Sequence, residues 1–142
     1  MATAADIVVK AREYLGTPWQ HQGRRKGLGV DCAGLIICVA HELGLSEFDV
    51  TDYGRTPNPQ RMGELLDAHM DRVFVSQAEP GDVLWMAFDA DPQHLAIVTD
   101  IGIIHALSNL SGGISRVAEH RLNYTWRQRI RRAYRYRGIQ WN

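Results

Sequence analysis

A chain of 142 residues, 45% apolar and 23% charged, has material for one hydrophobic core and too little for two ordinary domains. Sixteen basic and sixteen acidic side chains cancel, and neither Gly nor Pro is in excess, which excludes fibrous and disordered classes. No run approaches the roughly 20 apolar residues of a membrane span, so no membrane role is expected.

Thr3 caps a first helix expected over Ala4 to Leu15, with Ile7, Val8, Ala11 and Leu15 as its stripe and Gly16 as its stop. Met1 to Gly16 holds Asp6, Lys10, Arg12 and Glu13 and lacks the apolar run of a secretion signal, so cytoplasmic synthesis is expected. Residues 16–30, rich in Gly and basic side chains, read as a loop. A largely buried helix then runs from Asp31 or Cys32 to Gly44. Asp52 to Pro59 reads as loop, and Met62, Leu65, Leu66 and Met70 as a third, amphipathic helix.

After His69 the pattern turns to strands. Arg72–Val75, Val83–Met86, His94–Asp100, Gly102–Leu107, Gly113–Ala118 and Arg129–Arg137 are the candidates. Helices first and strands afterwards predict a single α+β domain over 1–142 with an antiparallel sheet. Charge is unevenly placed: seven Arg (121, 127, 129, 131, 132, 135, 137) and no acid follow Glu119. Such a tail can meet an anionic partner. Tyr and Ile interleave with the Arg, however, so a solvated strand face is the preferred reading and no nucleic-acid partner is expected.

Cys32 follows a Gly-rich loop and opens a helix, where unpaired N–H groups and the helix dipole favour a thiolate. The alternative is an inert core cysteine; Cys38, in mid-helix, is assigned to the core. A thiolate nucleophile needs a base and a group that orients it, and His94 and His105 are the candidates. An even-numbered loop centred on Asp100 and Ile101 would put both on one face; an odd-numbered loop would separate them. His21 can line a cleft before Cys32, whereas His41, His69 and His120 are expected at the surface without partners. Cys32, His94 and His105 are zinc-type ligands, but no close ligand pair such as CxxC exists, so neither a metal nor a cofactor is expected.

The segments Leu15-Gly16-Thr17-Pro18-Trp19-Gln20-His21-Gln22-Gly23 and Gly29-Val30-Asp31-Cys32-Ala33-Gly34-Leu35-Ile36 strongly resemble the NlpC family of cell-wall peptidases, in particular its phage tail branch. Pro80-Gly81-Asp82-Val83-Leu84, His94-Leu95-Ala96-Ile97-Val98, Ile104-His105-Ala106 and the Arg-rich strand ending Tyr134-Arg135-Tyr136 continue the match. The resemblance implies a papain-like fold, with the nucleophile opening a central helix packed on a sheet of about five or six strands. It implies Cys32 as nucleophile, His94 as base and His105 as the group that orients it, with Asp31, Trp19 and His21 on the substrate side. The implied reaction is hydrolysis of peptidoglycan stem peptides between D-γ-glutamate and diaminopimelate, through an acyl-enzyme. Phage tail-tip proteins are the implied partners, and a virion acting at the wall the implied location. Two departures stand out: Trp19 where the family commonly has Tyr, and Ala33 where it often has Ser. An inactive tail component and an amidase or acyltransferase with the same triad are the alternatives.

Overall fold

The computed structural model describes residues 1–88, 92–108 and 115–140. In chain order the elements are α1 (Ala4–Arg12), a two-residue hairpin of β1 (Arg24–Arg25) and β2 (Gly29–Val30), α2 (Cys32–Glu42), α3 (Pro59–His69), β3 (Met70–Val73), β4 (Val83–Ala87), β5 (Pro92–Val98), β6 (Ile103–Leu107), β7 (Arg116–His120), α4 (Tyr124–Arg127) and β8 (Ile130–Tyr136). The last six strands form one antiparallel sheet in the order β3-β8-β4-β5-β6-β7, so the fold is α+β as the sequence predicts. Residues 113 and 114, the start of one expected strand, lie outside the described residues. No helix among the described residues is long and apolar enough to cross a membrane.

Thr3 and Asp6 close a capping box on α1, which ends at Arg12 rather than Leu15. Beyond Arg12 the chain tightens into short turns, Tyr14 N–H to Ala11 and Leu15 N–H to Arg12. That rotates Tyr14 into the core, with its hydroxyl on Glu42, and leaves Leu15 46% exposed. The third helix starts earlier than expected, because Asn58 caps it and Pro59 serves as its first residue instead of breaking it.

Both faces of the sheet are covered. Val83, Trp85, Leu95, Ile97, Ile104 and Tyr134 pack with Ile7, Leu35 and Val39 from the helices. Leu84, Met86, Ala96, Ile103 and Ala133 form a second cluster on the other side, closed by Leu122, Trp126 and Ile130. The Arg-rich strand is less solvated than expected. Arg135 donates Nε and Nη2 to the two carboxylate oxygens of fully buried Asp82, each at 2.9 Å, and Arg132 lies over Trp85. Arg137 pairs with Asp71 at the surface.

Candidate active site

The mouth of α2 is built around Asp31. Its Oδ1 accepts the Gly34 N–H at 2.7 Å and Arg24 Nη1 at 3.1 Å; its Oδ2 accepts the Gln22 N–H at 2.8 Å and the Tyr53 hydroxyl at 2.5 Å. Gln22 has φ 59°, the only non-glycine residue in the left-handed region among the described residues, and this turn aims its N–H at the carboxylate. Gly34 is needed for close approach: a Cβ there would sit 2.2 Å from the Gly23 carbonyl. Asp31 is therefore committed to the protein on every side, as N-cap, ion-pair partner and acceptor for Tyr53.

Cys32 is the first residue of α2 and half-buried. Its Sγ lies 3.8 Å from the Gln93 carbonyl on β5, and the Leu95 N–H faces the same sulfur. Burial above all, then the charge of Asp31, pushes the thiol up to about 12, against the backbone N–H groups of Leu95 and Ala33. No hydrogen bond joins Cys32 to His94 among the described contacts; the sulfur rests on the backbone that brackets His94.

The β5–β6 hairpin turns through the even-numbered loop. Ile97 pairs with Ile104 and Val98 with Ile103, and the Thr99 N–H donates to the Gly102 carbonyl at 2.8 Å. His94 and His105 consequently share a face, and His94 Nε2 and His105 Nδ1 are 2.6 Å apart. They belong to the face of Ala96 and Ile103, where Phe88 packs on His94 at 4.9 Å and Trp126 on His105 at 4.9 Å between ring centres. Burial first, then Arg129 and His120, lowers His94 to about 3; burial, His94, His120 and Arg129 lower His105 to about 2. Both rings are neutral at physiological pH.

His120 corrects the sequence reading. It is half-buried, its Nε2 lies 2.8 Å from His105 Nε2, and its Nδ1 lies 2.9 Å from the Arg121 carbonyl. Trp126 and Arg129, which stacks 4.4 Å above it, were equally without a signal, because no motif announces the four-residue helix α4. His41 and His69 are exposed as expected, against the Phe48 carbonyl and ring respectively. Cys38 is buried in the core.

A cleft of about 760 Å³ opens at Cys32 and is lined there by Trp19, His21, Asp31, Tyr53 and Gln93. His21 meets Tyr53 edge-on at 5.6 Å. His94 and His105 do not line this cleft; they stand behind its floor. Among the described residues no group of three or more His, Cys, Asp or Glu could hold a metal ion.

A cysteine opening a buried helix against a sheet strand that carries paired imidazoles is a papain-like arrangement. The chain belongs to the NlpC/P60 family, whose sequence pattern matches residues 16–135. It is similar to the NlpC/p60 domain of the peptidoglycan hydrolase SagA, at 27% identity over 94% of this chain and 98% of that one, with a TM-score of 0.64. An NlpC/P60 family protein from Bacillus cereus (22% identity, TM-score 0.69) shares the fold over 94% of this chain, which spans 40% of that protein. The P60 domain of an antigen from M. avium subspecies paratuberculosis (18%, TM-score 0.60) does so over 93% of each chain. None of the curated proteins compared matches significantly.

Proposed function

We propose that this protein is a cysteine hydrolase of peptidoglycan that cuts the stem peptide between D-γ-glutamate and diaminopimelate. The observation that carries the reading is the placement of Cys32 at the mouth of α2 against Gln93–Leu95, beside a His94–His105 pair 2.6 Å apart. Family membership and the likeness to the SagA domain support the substrate class.

In this mechanism Cys32 Sγ attacks the scissile carbonyl while His94 takes the thiol proton. The C–N bond then breaks and His94 returns that proton to the leaving amine. Water, deprotonated by His94, cleaves the thioester to a carboxylate and a free thiol. Because thiol and imidazole are both neutral at rest, proton transfer accompanies attack instead of preceding it. The sulfur must swing from the Gln93 carbonyl to His94 for this step. Trp19 and His21 hold the peptide in the cleft, and Asp31 fixes the cleft wall together with Arg24 and Tyr53.

The setting proposed is a phage tail, from which the protein meets the wall during injection; this rests on the motif resemblance. Virions purified and analysed by mass spectrometry should contain the chain, and its absence would remove this part. A tail component with little turnover is the second reading, favoured by the thiol's rest on Gln93 instead of His94. Digestion of purified muropeptides with mass analysis of the products separates the possibilities. Free diaminopimelate-containing amines support the endopeptidase, other acyl products point to an amidase or acyltransferase, and no product supports the inactive component.

A further inference from the structure

We propose that His120 is a positioning residue of the site, the last ring of a three-imidazole chain whose direction the Arg121 carbonyl sets and which leaves Nδ1 of His94 bare for the Cys32 thiol. The catalytic significance of the chain rests on the hydrolase reading above; its direction does not.

A carbonyl oxygen can only accept, so His120 carries its proton on Nδ1 and donates to Arg121 at 2.9 Å. Its Nε2 is then a bare acceptor and must receive the Nε2–H of His105 at 2.8 Å. His105 is left bare at Nδ1 and must receive the Nε2–H of His94 at 2.6 Å. With one proton on each ring, the three bonds can be satisfied in this one direction only. The ring nitrogen that remains without a partner among the described residues is His94 Nδ1.

The backbone fixes the chain at both ends. His105 pairs with Ala118 and His120 with Ile103, so the rings at 94, 105 and 120 step diagonally across β5, β6 and β7 on one face. Gly102 lets β7 come close: a Cβ there would stand 2.0 Å from the His120 carbonyl. Trp126 packs on His105 and His120 at 4.9 and 5.0 Å. The charged group facing the chain from the turn between α4 and β8 is Arg129, held over Trp126 and Phe88, which opposes protonation of His94 and His105. Glu119, next to His120, is turned away onto Arg12. A carboxylate in this chain would stabilise an imidazolium at His94; a neutral ring cannot, and instead enforces the tautomer.

Nitrogen-15 NMR of the histidine-labelled full-length protein reads the ring protonation directly. The expected pattern is Nδ1–H for His120 and Nε2–H for His105 and His94. His120→Leu should mix the tautomers of His105 and lower kcat on muropeptides roughly 10- to 100-fold with KM unchanged. His120→Gln, whose Oε1 can still accept from His105, should restore both. A wild-type His105 protonated at Nδ1, or an active His120→Leu with unchanged tautomers, overturns the inference. If the wild type cleaves no muropeptide, the hydrolase reading fails while the ring pattern still decides the direction of the chain. If His120→Leu does not fold, the wild-type pattern and His120→Gln decide it.

Discussion

The Cys32 sulfur lies 3.8 Å from the carbonyl oxygen of Gln93, the residue that leads into His94. With the thiol pushed up to about 12 by burial and by Asp31, the resting site holds a thiol and not a thiolate. Alkylation of Cys32 in the folded protein should therefore run slower near neutral pH than in an unfolded control. The rate should rise only in the alkaline range, above the free-thiol midpoint of about 8.5. Rapid labelling at neutral pH would mean a preformed ion pair with His94.

The two buried imidazoles make a prediction for acid. His94 and His105 have native values of about 3 and about 2, below the ordinary 6.5, so between these limits the unfolded chain binds more protons. Stability is then fully present above about pH 6.5 and falls as pH drops toward 3, by up to about 1.4 kcal/mol per pH unit for each ring. Chemical denaturation across that range should show the slope, and His105→Gln should flatten it. A midpoint independent of pH would show that the rings are open to protonation in the native state.

Much of this site was legible in the sequence, for identifiable reasons. Asp31-Cys32 reads as a helix start because the apolar run that follows is a local pattern, whereas the shared face of His94 and His105 stayed open until the strand register chose the even-numbered loop. His120 was not legible because its partner is set by the β6–β7 register, and the connection between those strands fixes no turn type. Burial of Tyr14 in place of Leu15 depends on a tightened helix end, which periodicity cannot show. The Arg run misled for a related reason: Arg135 looks solvated in sequence, yet its partner Asp82 sits just before β4, the strand beside it in space, and 53 residues away in the chain.

Asp31 joins four groups, and its variants should separate cap from charge. Asp31→Ala removes the N-cap of α2 and one of the two carboxylates on Arg24, which keeps Asp49, and should cost about 2 kcal/mol. Asp31→Asn keeps an acceptor for Gly34 and should cost about half as much. Denaturant midpoints compare the two; equal losses would place the whole effect on the charge.

Asp82 is fully buried and held by Arg135 through both oxygens, with a third bond from the Glu79 N–H at 2.8 Å. Asp82→Ala should lower stability by about 3 kcal/mol, because it removes the fully buried acceptor of two Arg135 bonds and of the Glu79 N–H. Replacing both residues should cost less than the sum of the single changes, as a double-mutant cycle of unfolding free energies would read. Additive losses would show that the pair is not coupled.

Intact-protein mass spectrometry of an acid-quenched reaction with purified muropeptide tests most directly whether Cys32 is the nucleophile. A transient adduct with the mass of the glutamyl-side peptide should appear, map to Cys32, and vanish in Cys32→Ala along with all cleavage. Cleavage that persists in Cys32→Ala, or an adduct mapped to another residue, would contradict it.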